Sequence, residues 1–123
     1  MADFSPETSV SFRFSRAERL KKRDEIRAVF KKGRVASCSG AKLFVLPNDL
    51  LRNRIAFTFS RKFGNAVARN RARRLGREAY RHIGFALHPG YDMVLLVYPG
   101  NDSFQERFDQ LNFLFAKAGL RIF

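Results

Sequence analysis

Apolar side chains recur along this chain at two periods, and the alternation between them predicts the fold. In RDEIRAVFKKG, residues 23 to 33, Ile26, Val29 and Phe30 fall three and four apart among charged residues. That spacing predicts an amphipathic helix stopped by Gly33. Asp24 and Glu25 suit its positive N-terminal end, and Lys31 and Lys32 its negative C-terminal end. AKLFVLP (41–47) is a short apolar run closed by Pro47 and predicts a strand. In RIAFTFS (54–60) the period becomes two, with Ile55, Phe57 and Phe59 on one face and Ala56, Thr58 and Ser60 on the other. Strand, turn and strand suggest an antiparallel hairpin.

From about Val67 to His82 the helical period returns. Ala68, Ala72, Leu75, Ala79 and Ile83 form one stripe. YDMVLLVYP (91–99) is almost wholly apolar, as a central strand would be. Ser103 and Glu106 have capping-box spacing and open a helix whose core side is Phe104, Phe108, Leu111 and Phe115, with Gly119 able to end it. The order is therefore α-β-β(-β)-α-β-α, the bracketed strand being a short segment near 34–40. This predicts an α+β domain: a small mixed sheet with about three helices. At 123 residues the chain fits one domain, with residues 1–15 as a flexible, polar N-terminal arm and 16–123 as the folded part.

Charge adds what periodicity does not. The net charge is +13, but residues 1–12 carry −2, residues 13–81 carry +16 and residues 82–123 carry −1. So concentrated a positive field destabilises a fold through self-repulsion and points to a polyanionic partner. Its densest part is GNAVARNRARRLGREAYR (64–81), where six arginines between Arg69 and Arg81 meet one acid, Glu78. On the predicted helix, Arg69, Arg73, Arg74, Arg77 and Arg81 lie away from the alanine stripe and Arg71 lies on a flank. Ordinary solvated faces mix Glu and Lys four apart. This face has one acid and no lysine, and the planar guanidinium fork suits phosphate oxygens and bases better than an ammonium does. Gly76, inside the helix, implies close approach of a backbone, either the protein's own or a partner's.

FSRKFGNAVARNRARRLGREAYR resembles the protein subunit of bacterial ribonuclease P, on Ser60, Arg61, Lys62, Gly64 to Val67, Arg69 to Arg71, Arg73 to Leu75 and Arg77 to Tyr80. RLKK (19–22) with IRAVFKKG, and DMVLLVYP downstream, extend the likeness over roughly residues 19 to 118. The resemblance implies an α/β sandwich with a left-handed crossover around the arginine helix, an exception to the usual hand. It implies that a catalytic RNA, holding Mg²⁺, removes the 5′ leader of precursor tRNA while the small protein assists. Arg69, Asn70, Arg71, Arg73, Arg74 and Arg77 would contact the catalytic RNA, with Arg69 and Asn70 reaching the leader as well. Arg61 and Lys62 would flank a leader-binding cleft floored by Ile26, Phe30, and Phe44 or Leu46. Two departures stand out: Ile26 replaces the family's usual aromatic, and Val97-Tyr98-Pro99-Gly100 replaces its basic residues after the late strand, where Tyr98 could stack instead. On residue type alone, Phe30 and Phe44 would be assigned to the core.

No catalytic residue is expected in the chain itself. A nuclease working alone needs clustered carboxylates for metal, or paired histidines. The eleven acids are scattered, and His82 and His88 are assigned to a helix end and a turn. The lone Cys38 fits a small, partly buried side chain. No metal site or membrane contact is expected, no protein partner is required, and a cytoplasmic location is the default. Two rivals are another RNA-binding protein, indifferent to leaders, and a membrane-surface protein, which would need larger apolar residues than this alanine stripe provides.

Overall fold

The computed structural model describes residues 16–122. The proposed N-terminal arm therefore lies outside the described residues. Three helices, α1 (Arg23–Lys32), α2 (Ala66–Arg81) and α3 (Phe104–Lys117), pack on four strands: β1 (Arg34–Cys38), β2 (Ala41–Pro47), β3 (Arg54–Phe59) and β4 (Tyr91–Val97). The sheet runs β1-β2-β4-β3. It is mixed, because β4 is antiparallel to β2 and parallel to β3.

The hairpin expected of β2 and β3 is not formed. β4 inserts between them, and among the described residues the antiparallel hairpin is β1–β2. The reason is burial. Met93, Val94 and Leu95 are apolar on consecutive positions, so this strand needs a cover on both faces and takes a central place. β3, alternating and half polar, takes the side.

One face of the sheet carries Leu43, Val45, Ile55, Phe57, Met93, Leu95 and Val97, all buried against α2 and α3 in the main core. The other face carries Phe44, Leu46, Ala56 and Val94, against which α1 lays Ile26 and Val29. Arg54 pins α1 to this second face. Its guanidinium bonds Asp92 at 2.8 and 2.7 Å and reaches Glu25 of α1 at 3.3 Å. The bond to Asp92 raises the Arg54 pKa above its ordinary value.

The hand of the β3–α2–β4 crossover follows from L-chirality. Seen from the Ile55 and Phe57 face with β3 pointing up, the carbonyl of Ile55 points right, where it accepts from Leu20 N–H at 3.0 Å. β4 is then on the left, where Ser60 N–H donates to Val97 O. The chain leaves β3 upward, returns through α2 in front and enters β4 on the left, which is a left-handed crossover.

Local chemistry sets the helix ends. Asn65 caps α2 by accepting from Ala68 N–H, and Ser103 caps α3 by accepting from Glu106 N–H. α3 closes in a Schellman motif: Gly119, at φ 74°, donates to Ala116 O and Leu120 donates to Phe115 O. Gly33 ends α1 differently. Its backbone is extended, and glycine is needed because a Cβ would stand 2.5 Å from Val29 O and 3.0 Å from Val45 O. Phe115 is buried, whereas Phe104 and Phe108 are half-buried and stack on each other at the core's margin. Cys38 is half-buried, and burial pushes its thiol pKa up.

Candidate nucleic-acid interface

α2 carries the arginines, and how it rolls on the sheet decides where each points. Its buried residues are Ala72, Gly76, Ala79 and Tyr80. Ala68 and Leu75, expected in the stripe, are only half-buried. The roll toward Gly76 has a cause in packing: a Cβ there would lie 2.7 Å from the Phe57 ring. The close neighbour of Gly76 is thus an aromatic ring of the sheet, not a backbone of the protein or of a partner. Burial of Tyr80 beside it raises the pKa of its phenol far above the ordinary value.

With this roll the arginines divide into two sets. Arg71 and Arg74 are exposed and stand outward. Arg69, Arg73 and Arg77, four apart, are half-buried along one flank. Arg73 lies over the Phe59 ring at 5.3 Å and donates to Asn70 Oδ1 at 2.9 Å. Arg77 faces Arg19 and Arg73, and its pKa is lowered, first by burial and then by those two charges. Arg69 folds back onto the loop before the helix. Its Nε donates to Gly64 O at 2.9 Å and its Nη2 to Ser60 O and Arg61 O at 3.2 Å each. Arg61 and Lys62 are exposed on that loop. Arg81 is bound to Glu78, whose pKa it lowers.

Between α2, the outer side of β3 and the chain entering α1 lies a cleft of about 300 Å³, lined by Arg19, Lys21, Ile26, Thr58, Arg73 and Arg77, with Ala56 and Phe57 as part of its floor. Sequence reasoning missed Arg19 and Lys21 as part of this wall. The helix begins at Arg23, as its apolar period predicts, and Arg19 before it bridges to Ile55 as an extension of the sheet. The bases flanking Leu20, itself only 4% exposed, were the available signal.

Farther along the same face, Phe30 of α1 and Phe44 of β2 meet edge to face with ring centroids 4.8 Å apart. Neither is a core residue: Phe30 is 36% exposed and Phe44 half-buried. Ile26 and Leu46, also half-buried, pack with them around Leu20, Val29 and Val94. The structure thus brings Ile26, Phe44 and Leu46 into one apolar cluster with Phe30 against Phe44, and Ile26 of that cluster lines the cleft with Arg73 and Arg77. At the end of the sheet Lys42 Nζ sits 6.0 Å from the centroid of the Tyr98 ring.

A family profile described as Ribonuclease P matches residues 14–119. The chain belongs to the ribonuclease P protein family. The ribonuclease P protein component of Clostridium acetobutylicum is 35% identical over 109 residues, covering 85% of this chain and 92% of that one. That of Dictyoglomus thermophilum is 32% identical over 112 residues, covering 88% and 93%. In structure, the RNase P protein of Staphylococcus aureus shares the fold with a TM-score of 0.76 at 21% identity, over 86% of this chain and 99% of that one. The Thermotoga maritima protein gives 0.68 at 26% identity, over 79% and 94%. As a ribonuclease P protein component, the chain falls in tRNA processing.

Among the described residues no group of three or more His, Cys, Asp or Glu could hold a metal ion. Nor is any described helix long and apolar enough to cross a membrane.

Proposed function

We propose that this chain binds the catalytic RNA of ribonuclease P through α2 and holds the single-stranded leader of precursor tRNA in the α1 cleft, while the RNA carries out hydrolysis. The observation that carries the reading is the composition of one continuous surface. Phe30, exposed, pairs with the half-buried Phe44, which shares an apolar cluster with Ile26 of a cleft walled by Arg19, Arg73 and Arg77. Bases of a single strand stack on aromatic or apolar platforms while a basic wall follows the phosphates. Arg71 and Arg74, standing outward on a rigid helix, suit phosphates of a folded RNA on the other side.

Burial and the neighbouring charges of Arg19 and Arg73 lower the Arg77 pKa, and a polyanion entering the cleft these arginines line would offset that concentration of positive charge. Among the described residues no cluster of carboxylates suits the Mg²⁺ of the reaction. Asp92 is held by Arg54 and Asn48, Asp102 by Arg107, and Glu78 by Arg81 and His82. In this reading the metal belongs to the RNA. The protein's part is to bind, orient and neutralise, which lowers the Mg²⁺ needed to keep two polyanions together.

Reconstitution tests this directly. Mixed with a bacterial ribonuclease P RNA at limiting Mg²⁺, the chain should accelerate cleavage of precursor tRNA over RNA alone. Equal rates with and without the chain would overturn the proposal.

A further inference from the structure

Arg69 turns its charge back onto the loop that precedes its own helix. It sits in the first turn, and its side chain runs back past the helix N-terminus. Of the five N–H donors on a guanidinium, three are directed at carbonyls of a single loop, those of Gly64, Ser60 and Arg61. The loop has few other ties. Phe63 N–H closes a turn onto Ser60 O at 3.0 Å, and the Phe63 ring leans on Phe59 at 4.8 Å. Three carbonyls converging on one point would repel one another without a cation between them, so the guanidinium decides the shape of the loop. That loop carries Arg61 and Lys62, both exposed, and leads directly into the Asn65 cap of α2.

We propose that Arg69 is a positioning residue for RNA binding: it gathers the carbonyls of Ser60, Arg61 and Gly64 and thereby sets the direction in which Arg61 and Lys62 meet phosphate, rather than meeting a phosphate itself. The inference rests on the reading that RNA is the partner. It makes a distinction that charge counting cannot. A phosphate contact needs a cation and tolerates lysine in part. A clasp over three carbonyls needs the planar fork, which a single ammonium does not reproduce.

The test is a double-mutant cycle in affinity for a bacterial ribonuclease P RNA, with amide hydrogen exchange of the RNA-free proteins. Arg69→Ala should weaken binding by about tenfold, within the range for residues coupled in one network. On an Arg61→Ala/Lys62→Ala background the same change should cost less than about twofold, because the side chains it positions are gone. Arg69→Lys should bind like Arg69→Ala. In both variants the amides of residues 61–65 should exchange faster while those of α3 keep their protection, which separates a loosened loop from a lost fold. Equal losses in the two backgrounds, or full retention of affinity by Arg69→Lys with loop exchange unchanged, would make Arg69 an ordinary phosphate contact. If the wild-type chain itself ignores the RNA, it is the functional reading that fails; if it binds and the losses add, only the positioning role fails.

Discussion

The two faces of the sheet are built to different ends. The face toward α2 and α3 is closed: Leu43, Val45, Met93, Leu95 and Val97 are at most 2% exposed. The face toward α1 is covered by a helix of ten residues, held by a small apolar cluster and by Arg54. The closed face supplies the stability that lets the other remain half open. On the proposed function, a sheet with two fully covered faces would leave Phe30, Phe44 and the arginine flank no access to a leader.

Substitutions that separate stability from RNA binding would sharpen or break this contrast. The largest stability loss is expected on the closed face. Leu95→Ala removes a fully buried side chain from the central strand and should cost about 3 kcal/mol in denaturant unfolding. Arg54→Ala leaves the buried Asp92 without its cation and frees α1, at a cost of about 2–3 kcal/mol. It should also weaken leader binding, because the cleft's wall is then loose. Phe30→Ala reverses the weighting. Its edge contact with Phe44 is worth about 1 kcal/mol or less to the fold, whereas loss of a stacking platform should weaken binding of leader-bearing tRNA by about tenfold. A leaderless tRNA should be unaffected by that change. Arg71→Ala and Arg74→Ala should shift unfolding by less than about 0.5 kcal/mol, yet each should lower the slope of log affinity against log salt by about 0.7–0.9.

The smallest effect expected is one of pH. Hydrogen bonding to Arg81 lowers the Glu78 pKa, so its contribution is present above the ordinary carboxylate pKa and is lost as pH falls through the folded value. Glu78→Gln should therefore slightly flatten the acid limb of the stability curve. Because the pair is exposed, the change should be small and should vanish in high salt.

Most elements were legible in the pattern of apolar residues, because helix and strand periods are local properties. Pairing was not. The alternation of Ile55, Phe57 and Phe59 fixes which face β3 buries but says nothing about its neighbour, so a hairpin with β2 was the natural and incorrect choice. The near-continuous apolar run of β4 did mark it as central. β1 was hard to bound because RVASC is short and carries one buried residue, Ala36. At the candidate site the arginine-rich face was plain from residue types. The division of its members was not, since a helical wheel gives angles but not the roll imposed by Gly76 on Phe57. Arg69 could not be assigned to the loop carbonyls from sequence, because that contact depends on how the chain turns at Gly64. Phe30 and Phe44 were assigned to the core on residue type alone; the structure leaves Phe30 exposed and Phe44 half-buried against an apolar cluster, a distinction residue type does not make.

Side-chain footprinting by hydroxyl radicals puts the two faces in one experiment. Phe30 and Phe44 line the open face, while Phe85 and Phe113, 49% and 54% exposed, lie away from it and serve as internal controls. In the particle assembled with ribonuclease P RNA, adding leader-bearing precursor tRNA should protect Phe30 and Phe44 and leave Phe85 and Phe113 reactive, and leaderless tRNA should protect none of the four. Protection of Phe85 and Phe113 with Phe30 and Phe44 still reactive would contradict the account.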